Sequence, residues 1–428
     1  MKVFLRKMLL LALSGIVLTL TGCSGEGGGN GGGNSATTAP VTVPPSQTVL
    51  PLTLPGPYAV ACSNVAQNSG QMAPGENAAD YWKGAPSASG APRYVTDLLA
   101  DSANTLLVTV STPNDSTLYG TAAGKQITYA VLACYPTSAN NPRAGYSLPT
   151  GGIVPHMQIG TDPPLFPDAA ARYPMIVFSH GISGSPISGD YLSVLSVFAS
   201  YGYIVVAPFH GDQRFSDRND LGNVISLLAH QGAFNTLQTL RPLSMSAAID
   251  LMLTHPQWRD HINATQIGGF GASIGGETLL LMGGAGMTTA ADLSWTRMTS
   301  DPRLKAAVGY MPYFGTPFLP AFGRDQHGLD NVTLPYLAIS GTADMTAPLS
   351  MAEKGMMQLA GTRELVVLDG VEHLLDAASI NDLYTWSLTF LDAQVRGDTV
   401  ARQKLSTMAH VTGGANDNAV ISYNGPPL

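Results

Sequence analysis

Three side chains in this sequence have the types and the order of a nucleophile, an orienting acid and a base. Ser273 stands between Gly271 and Gly275 in the pattern G-x-S-x-G, which is typical of a serine held on a tight turn between a strand and a helix. Asp344 and then His373 follow, each directly after a predicted strand. A serine needs a base to take its proton and an acid to orient that base, so the set predicts acyl transfer through a covalent intermediate.

Each member of this set has a plainer interpretation that the residues leave open. Ser273 could be a small residue at a helix start, Asp344 could cap a turn, and His373 could be a surface histidine. Asp344 is favoured as the orienting acid because a loop after its own strand can reach the outer imidazole nitrogen. Three rival carboxylates lie near the histidine in sequence: Asp369, Glu372 and Asp376.

Two backbone N–H groups are expected to bind the oxyanion of the tetrahedral intermediate. One belongs to Ile274, the residue after the nucleophile, and the other to Ile182, in the loop after an earlier strand. His180 and His210 also follow strands, and we expect them to shape these loops by hydrogen bonding rather than to catalyse.

The elements that must position these groups alternate between apolar segments and amphipathic ones. Strands that are apolar on both faces and alternate with helices predict an α/β fold with a mostly parallel central sheet, covered by helices on both faces. Because the carboxyl ends of parallel strands meet at one edge, residues far apart in the chain can share a site there. The predicted strands are Met175–Ser179, Tyr203–Pro208, the segment before Gly271, Leu304–Tyr310, Leu334–Ser340 and Arg363–Leu368.

The amino terminus has the pattern of an export signal. Lys2, Arg6 and Lys7 precede an apolar run from Met8 to Leu20, which is too short to span a membrane and is typical of a secretory signal. The following Leu-Thr-Gly-Cys closely resembles a bacterial lipobox, in which Cys23 is lipidated and becomes the first residue of the mature chain. An ordinary signal peptide with a chance cysteine is the alternative, and Ser24 favours the outer membrane.

Composition and charge limit the class of partner. Hydrophobic residues make up 45% of the 428 residues, enough for a large core, whereas charged residues make up only 12%. Without residues 1–22, 18 Lys and Arg face 29 Asp and Glu, so the formal charge is −11. Such an acidic surface argues against nucleic acid and anionic lipid headgroups as partners.

Two cysteines remain besides Cys23. In an oxidising compartment Cys62 and Cys134 are expected to form one disulfide, with two buried free thiols as the alternative. Their spacing fits neither a redox pair nor a zinc site, so no metal is predicted.

The predicted layout is a signal peptide over 1–22, a Gly/Ser/Thr/Pro-rich tether over 23–54, one catalytic domain over 55–412 and a carboxyl-terminal tail over 413–428. Residues 219–239 are either a small helical lid or a plain packing helix. Four aromatic side chains after one strand end could line an apolar substrate pocket or could be ordinary packing. These are Tyr313, Phe314, Phe318 and Phe322.

The segments SHG, GFGASIGG, SGTADMTAP and GVEH together resemble the α/β-hydrolase superfamily. The pattern covers residues 174–398 and is similar to bacterial dienelactone-hydrolase-like and platelet-activating-factor acetylhydrolase-like lipoproteins. The resemblance implies ester hydrolysis without a metal or organic cofactor. Two departures matter: Ala272 stands where many lipases have histidine, and Ser273 replaces the cysteine of true dienelactone hydrolases.

The sequence therefore predicts a lipid-anchored, exported serine esterase for neutral, apolar carboxylic esters. A phospholipase A2-like or platelet-activating-factor acetylhydrolase-like activity, or hydrolysis of polyester or phthalate-type esters, is an alternative within the same fold. A surface lipoprotein that binds without catalysis is an alternative of another kind.

Overall fold

A ten-stranded sheet runs through the described part of the chain. The structure is a computed structural model that describes residues 45–66, 98–99, 101–148, 152–159, 162–182, 184–212, 231–290 and 292–426. The predicted signal peptide, Cys23 and residues 23–44 of the predicted tether lie outside these residues, as do 219–230 of the predicted lid.

The strands of the described residues are β1 (Gln47–Val49), β2 (Ala59–Cys62), β3 (Leu106–Ser111), β4 (Gln126–Thr137), β5 (Tyr146–Ser147), β6 (Ile153–Val154), β7 (Tyr173–Ser179), β8 (Ile204–Pro208), β9 (Ile262–Ala272), β10 (Gly286–Thr288), β11 (Trp295–Arg297), β12 (Leu304–Tyr310), β13 (Gly315–Thr316), β14 (Leu319–Pro320), β15 (Tyr336–Gly341), β16 (Arg363–Asp369), β17 (Met408–Val411) and β18 (Asn416–Ile421). The α-helices are α1 (Ser116–Tyr119), α2 (Gly189–Ser200), α3 (Gln231–Thr254), α4 (Ile274–Met282), α5 (Leu349–Gln358), α6 (Ile380–Leu391) and α7 (Thr399–Thr407).

The centre of the large sheet is parallel. Its order is β18-β16-β15-β12-β9-β7-β8-β4-β2, with β3 also paired to β4. The six strands from β16 to β8 run parallel, and β18 and β4 run antiparallel to them at either side. β2 and β3 each pair antiparallel with β4. This arrangement confirms the predicted α/β class and is that of the α/β-hydrolase fold.

Two hydrophobic cores lie on the two faces of this sheet, because successive residues of a strand point to opposite sides. In β7, Ile176 and Phe178 pack into one core, where helices α2 and α6 contribute. Met175 and Val177 of the same strand pack into the other, with helices α3, α4 and α5. Every residue of β7 is buried, which explains its unbroken apolar run.

The antiparallel edge contains the predicted disulfide. Cys62 in β2 pairs directly with Cys134 in β4, and a disulfide joins the two side chains. Because both residues are buried in strands of the central sheet, the bond ties the first strand of this sheet to its neighbour.

Folded structure extends beyond both predicted boundaries of the catalytic domain. β1 pairs with β17 and the Leu52 N–H donates to Thr385 Oγ1, so the predicted tether to residue 54 includes residues that belong to the folded domain. The predicted tail from 413 onward contains β18, which extends the sheet beside β16. These segments lack long apolar runs because they lie at edges of the fold, and so they resemble linkers in sequence.

Residues 231–239 of the predicted lid form the start of the long helix α3. Phe234 and Leu237 are buried there, so this part of the segment is a packing helix, the second of the two alternatives. Among the described residues, no helix combines the length and the apolar character that crossing a membrane requires.

Candidate active site

Ser273 lies on a strained turn between β9 and α4. Its φ of 55° and ψ of −123° are costly for a residue with a side chain. A Cβ on Gly271 would lie 2.2 Å from the carbonyl oxygen of Gly275, and one on Gly275 would lie 1.9 Å from that of Ser179. The turn therefore needs glycine at both positions, and it projects the serine hydroxyl at the end of the sheet.

The structure brings the three predicted side chains together. Ser273 Oγ lies 2.9 Å from His373 Nε2, and His373 Nδ1 lies 2.6 Å from Asp344 Oδ2. The Asp344 side chain is fully buried, whereas 23% of the His373 side chain is exposed. The three groups form one hydrogen-bonded chain that reaches solvent at the histidine.

Asp344 is oriented by its own loop. Its Oδ1 accepts hydrogen bonds from the backbone N–H groups of Thr346 and Ala347, at 2.8 and 2.7 Å. The other oxygen is thereby left directed at His373. These two hydrogen bonds fix the orientation of the carboxylate, which suits a group that must hold the imidazole of His373 in place.

Two of the rival carboxylates have other partners. Asp369 accepts a hydrogen bond from the Thr342 hydroxyl at 3.0 Å, and Asp376 accepts one from the backbone N–H of Ser379 at 2.8 Å. The third, Glu372, has an exposed side chain.

The two predicted oxyanion donors belong to segments that flank the nucleophile. Ile274 is the first residue of α4, where backbone N–H groups have no partner within the helix. The neighbour of Ile182 lies directly against the serine, because a Cβ on Gly181 would be 3.6 Å from Ser273 Cβ. The peptide groups of Ile182 and Ile274 therefore belong to the two segments next to Ser273.

His180 and His210 are buried beneath this edge. The Gly181 carbonyl can only accept, so the 2.8 Å contact places a proton on His180 Nδ1, and His180 Nε2 accepts from the His210 N–H at 3.2 Å. Burial lowers the pKa of His180 to about 4, which keeps the ring neutral. His210 contacts the Ser179 and Ser244 hydroxyls, and burial lowers its pKa well below the usual range. These contacts fit the structural role predicted for both.

Sequence reasoning missed an ion pair under the same loop. Arg241 of α3 is 1% exposed and pairs with Asp212, and it donates to the carbonyl oxygens of His180 and Gly181 at 2.6 and 3.1 Å. The available signal was an arginine inside a helix otherwise rich in buried apolar residues, because a buried cation needs a buried partner.

The four aromatic residues predicted either to line a pocket or to pack have different surroundings. Phe314 and Phe322 are fully buried and pack edge to face, so they belong to the core. Phe318 is 82% exposed and lies in the turn between two short strands. Tyr313 is buried near the nucleophile, where its N–H donates to the Ser273 carbonyl and its ring packs on Phe234.

The cavity that contains Ser273 and His373 is formed by other residues. Its volume is about 170 Å³. Most of its lining is apolar, and Asp190 is the carboxylate at its wall. Sequence reasoning missed these lining residues because they come from four separate segments; they are Ser188, Asp190, Tyr191, Ala272, Tyr310, Met311, Leu374 and Leu375.

The loop that carries His373 is fixed by Tyr310, whose hydroxyl donates to the Leu374 carbonyl at 2.9 Å. Among the described residues, no group of three or more His, Cys, Asp and Glu side chains is arranged to hold a metal ion.

The sheet order and the position of Ser273 directly after β9 are those of the α/β-hydrolase fold. The family model described as platelet-activating factor acetylhydrolase, isoform II, matches residues 157–218. The match includes β7, the loop with Ile182, α2 and β8, and it ends before Ser273. At the family level it indicates an ester-hydrolysing enzyme of the serine esterase or phospholipase kind. The resemblance to dienelactone hydrolases is not confirmed, and the comparison with curated proteins found no match.

One further carboxyl group lies beneath the nucleophile. Glu277, in the first turn of α4, is fully buried and accepts a hydrogen bond from the Gln238 side chain. Its other oxygen has no hydrogen-bond partner within the described part of the chain. Burial raises the pKa of Glu277 to about 8, so this group is largely a neutral acid at pH 7.

We expect Glu277→Gln to stabilise the protein increasingly as pH rises. The carboxyl pKa is raised from 4.5 to about 8 on folding, so the folded state holds an extra proton between these values. The free energy of unfolding of the natural protein therefore has its full value below pH 4.5 and falls as pH rises through 8, by about a few kcal/mol. The variant has no carboxyl group to titrate and does not lose this stability. Denaturant unfolding from pH 5 to 8.5 measures the difference.

The exposed Glu353→Gln is the matched control, because it makes the same substitution on the surface helix α5. The difference in free energy of unfolding between Glu353→Gln and the natural protein should not change with pH over the same range. A flat difference for Glu277→Gln as well would contradict the assignment of a buried neutral acid.

Proposed function

We propose that the protein is a serine ester hydrolase that cleaves neutral, apolar carboxylic esters through an acyl-enzyme intermediate. The observation that carries the proposal is the hydrogen-bonded chain from Ser273 through His373 to Asp344. The order along the chain and the position of each residue after a parallel strand also support it.

In the first half of the reaction Ser273 Oγ attacks the ester carbonyl while His373 Nε2 takes its proton. Asp344 stabilises the imidazolium and keeps its orientation. The negative charge on the former carbonyl oxygen is bound by the backbone N–H groups of Ile182 and Ile274. The intermediate then collapses, and His373 returns the proton to the leaving alcohol.

In the second half, water attacks the acyl carbon and His373 takes one of its protons. A second oxyanion forms in the same place and collapses to expel Ser273 Oγ, which regains its proton from His373. Every step uses the same base, because one imidazole edge faces the serine and the other stays bound to Asp344.

The character of the cavity supports an apolar substrate. Met311, Leu374 and Leu375 contribute apolar lining, and Leu374 is 62% exposed. Asp190 places negative charge near an incoming substrate, which disfavours an anionic ester.

A phospholipase A2-like or platelet-activating-factor acetylhydrolase-like activity is the second candidate. It is favoured by the name of the family that matches residues 157–218. Both candidates share the same nucleophile and differ in the alcohol part of the substrate.

We further propose that the chain is exported and anchored to a membrane through lipid on Cys23. The support is the lipobox-like Leu-Thr-Gly-Cys sequence after a basic and then apolar start. An anchored enzyme would meet its esters outside the cytoplasm, on the periplasmic or surface face of the outer membrane.

We expect a fluorophosphonate probe to label the purified protein at Ser273. The Ser273→Ala variant should not react, and its kcat for p-nitrophenyl butyrate should fall by roughly 10⁴-fold or more, since the nucleophile is lost. Ser188→Ala is the matched control. It removes a serine hydroxyl that lines the same cavity but is not hydrogen-bonded to His373. Equal labelling of the natural protein and Ser273→Ala would refute the proposal, as would unchanged turnover.

We expect the value of kcat/KM to fall once the acyl chain exceeds about six carbons. A cavity of about 150 Å³ holds one benzene molecule, and this one measures about 170 Å³. A p-nitrophenyl ester series from two to twelve carbons measures the trend. Phospholipids with an acetyl or a palmitoyl group at the second position test the second candidate. A steady rise to twelve carbons would contradict the size limit.

We expect the natively expressed protein to carry a diacylglyceryl thioether on Cys23 as its first residue. Mass spectrometry of the amino-terminal peptide checks this, and the Cys23→Ser variant should leave the membrane fraction. An unmodified Cys23 inside an intact amino terminus would rule out the anchor.

A further inference from the structure

The loop after β7 contains a peptide unit whose orientation matters for the proposed oxyanion site. The carbonyl of Gly181 and the N–H of Ile182 belong to one peptide group. In a trans peptide these two bonds point in opposite directions. Whatever holds the Gly181 carbonyl therefore also directs the Ile182 N–H.

Two side chains hold that carbonyl, which also accepts a hydrogen bond from the backbone N–H of Gly184 at 3.2 Å. Arg241 Nη2 donates to it at 3.1 Å, and His180 Nδ1 donates to it at 2.8 Å. Arg241 Nη1 also donates to the preceding carbonyl, that of His180, at 2.6 Å. Two successive peptide groups of the loop are thus bound to the same guanidinium.

The guanidinium is itself fixed. Arg241 Nε lies 3.1 Å from Asp212 Oδ1, and Nη2 lies 2.5 Å from Oδ2, so the pair is bidentate. Both side chains are almost fully buried, at 1% and 3% exposure. Because arginine presents planar donors in a fixed fork, one side chain can hold the carboxylate and both carbonyls together.

The same contacts have an electrostatic consequence. A cation bound to a carbonyl oxygen polarises that peptide and makes its N–H a stronger donor. Asp212 balances the charge of Arg241, which is what allows the cation to remain buried. The Ile182 N–H is thereby both aimed and strengthened before any substrate arrives.

We propose that Arg241, held by Asp212 and assisted by His180, is a positioning residue that sets the Ile182 N–H for the oxyanion. The inference rests on the proposed function, since it needs the ester chemistry at Ser273. Arg241 does not touch the substrate and acts only through the loop. Its loss should therefore raise the barrier of the chemical step more than it weakens substrate binding.

The test compares Arg241→Lys with the natural protein. A lysine ammonium cannot hold the carboxylate and both carbonyls at once, so the loop loses one or more of its contacts. We expect kcat to fall roughly 10²- to 10³-fold, as for loss of one oxyanion donor, with KM changed less than about threefold. The Ki of a trifluoromethyl ketone, which forms an oxyanion on Ser273, should rise by the same factor as kcat/KM falls.

Arg303→Lys is the matched control. Arg303 also pairs with two carboxylates, Asp301 and Asp250, and its Nη2 donates to the Ser246 carbonyl of α3. Its contacts with α3, at Ser246 and Asp250, lie further along that helix than Arg241, and Arg303 is outside the proposed machinery. The control should lower the melting temperature at most and leave kcat unchanged.

His180 supplies a second test in case Arg241→Lys does not fold. His180→Asn keeps a donor near the position of Nδ1, whereas His180→Leu removes it. We expect His180→Leu to lower kcat roughly 10-fold or more and His180→Asn to recover most of that loss. A purely structural role would instead lower the melting temperature of both without a matching change in kcat.

The outcomes separate this inference from the proposed function. Labelling of natural Ser273 by the fluorophosphonate supports the proposed function whatever Arg241 does. With that labelling intact, an unchanged kcat in folded Arg241→Lys, a loss confined to KM, or an unchanged ketone Ki would each overturn the positioning role. Absence of labelling in the natural protein would remove the proposed function itself.

Discussion

The parallel pairing of β7 with β9 is the constraint on which the active site depends. Ser179 pairs with Gly271 at the carboxyl ends of the two strands. The carbonyl oxygen of Ser179 then occupies the space that a side chain on Gly275 would need. The chain can pass this point only as a glycine-flanked turn, which leaves Ser273 at positive φ with the loop of Ile182 beside it. β12, β15 and β16 extend the same edge, so Asp344 and His373 arrive on neighbouring loops.

Beneath that edge lies a set of buried polar groups that an apolar core would not need. Arg241, Asp212, His180, His210 and Glu277 are each 3% exposed or less. Burying charge is costly unless hydrogen bonds and opposite charge compensate for it. Here Asp212 balances the charge of Arg241, and the carbonyls of the loop accept its remaining hydrogen bonds. Fixed dipoles bind a developing negative charge without first reorganising, which is why a rigid loop is of use in ester hydrolysis.

The differences between the sequence-based predictions and the structure have physical causes. Phe314 and Phe322 follow a strand end, as pocket residues often do, but the chain turns back and buries both rings against each other. The segments at 45–54 and after 413 are poor in long apolar runs, although β1 and β18 hold them in sheets through backbone hydrogen bonds that any residue type can make. Arg241 gave little signal, because its partner Asp212 lies on a different element and the contact exists only after folding.

The sequence by itself determined the α/β class and the strand order along the chain, and it favoured Ser273, Asp344 and His373 as the residues that meet. These features are local: apolar runs of strand length, glycines around one serine, and an acid and a histidine placed after strands. Only the tertiary structure decided which carboxylate faces His373, which side chains line the cavity and how the loop of Ile182 is held. Those outcomes depend on distances between elements far apart in the chain, and no local pattern encodes such distances.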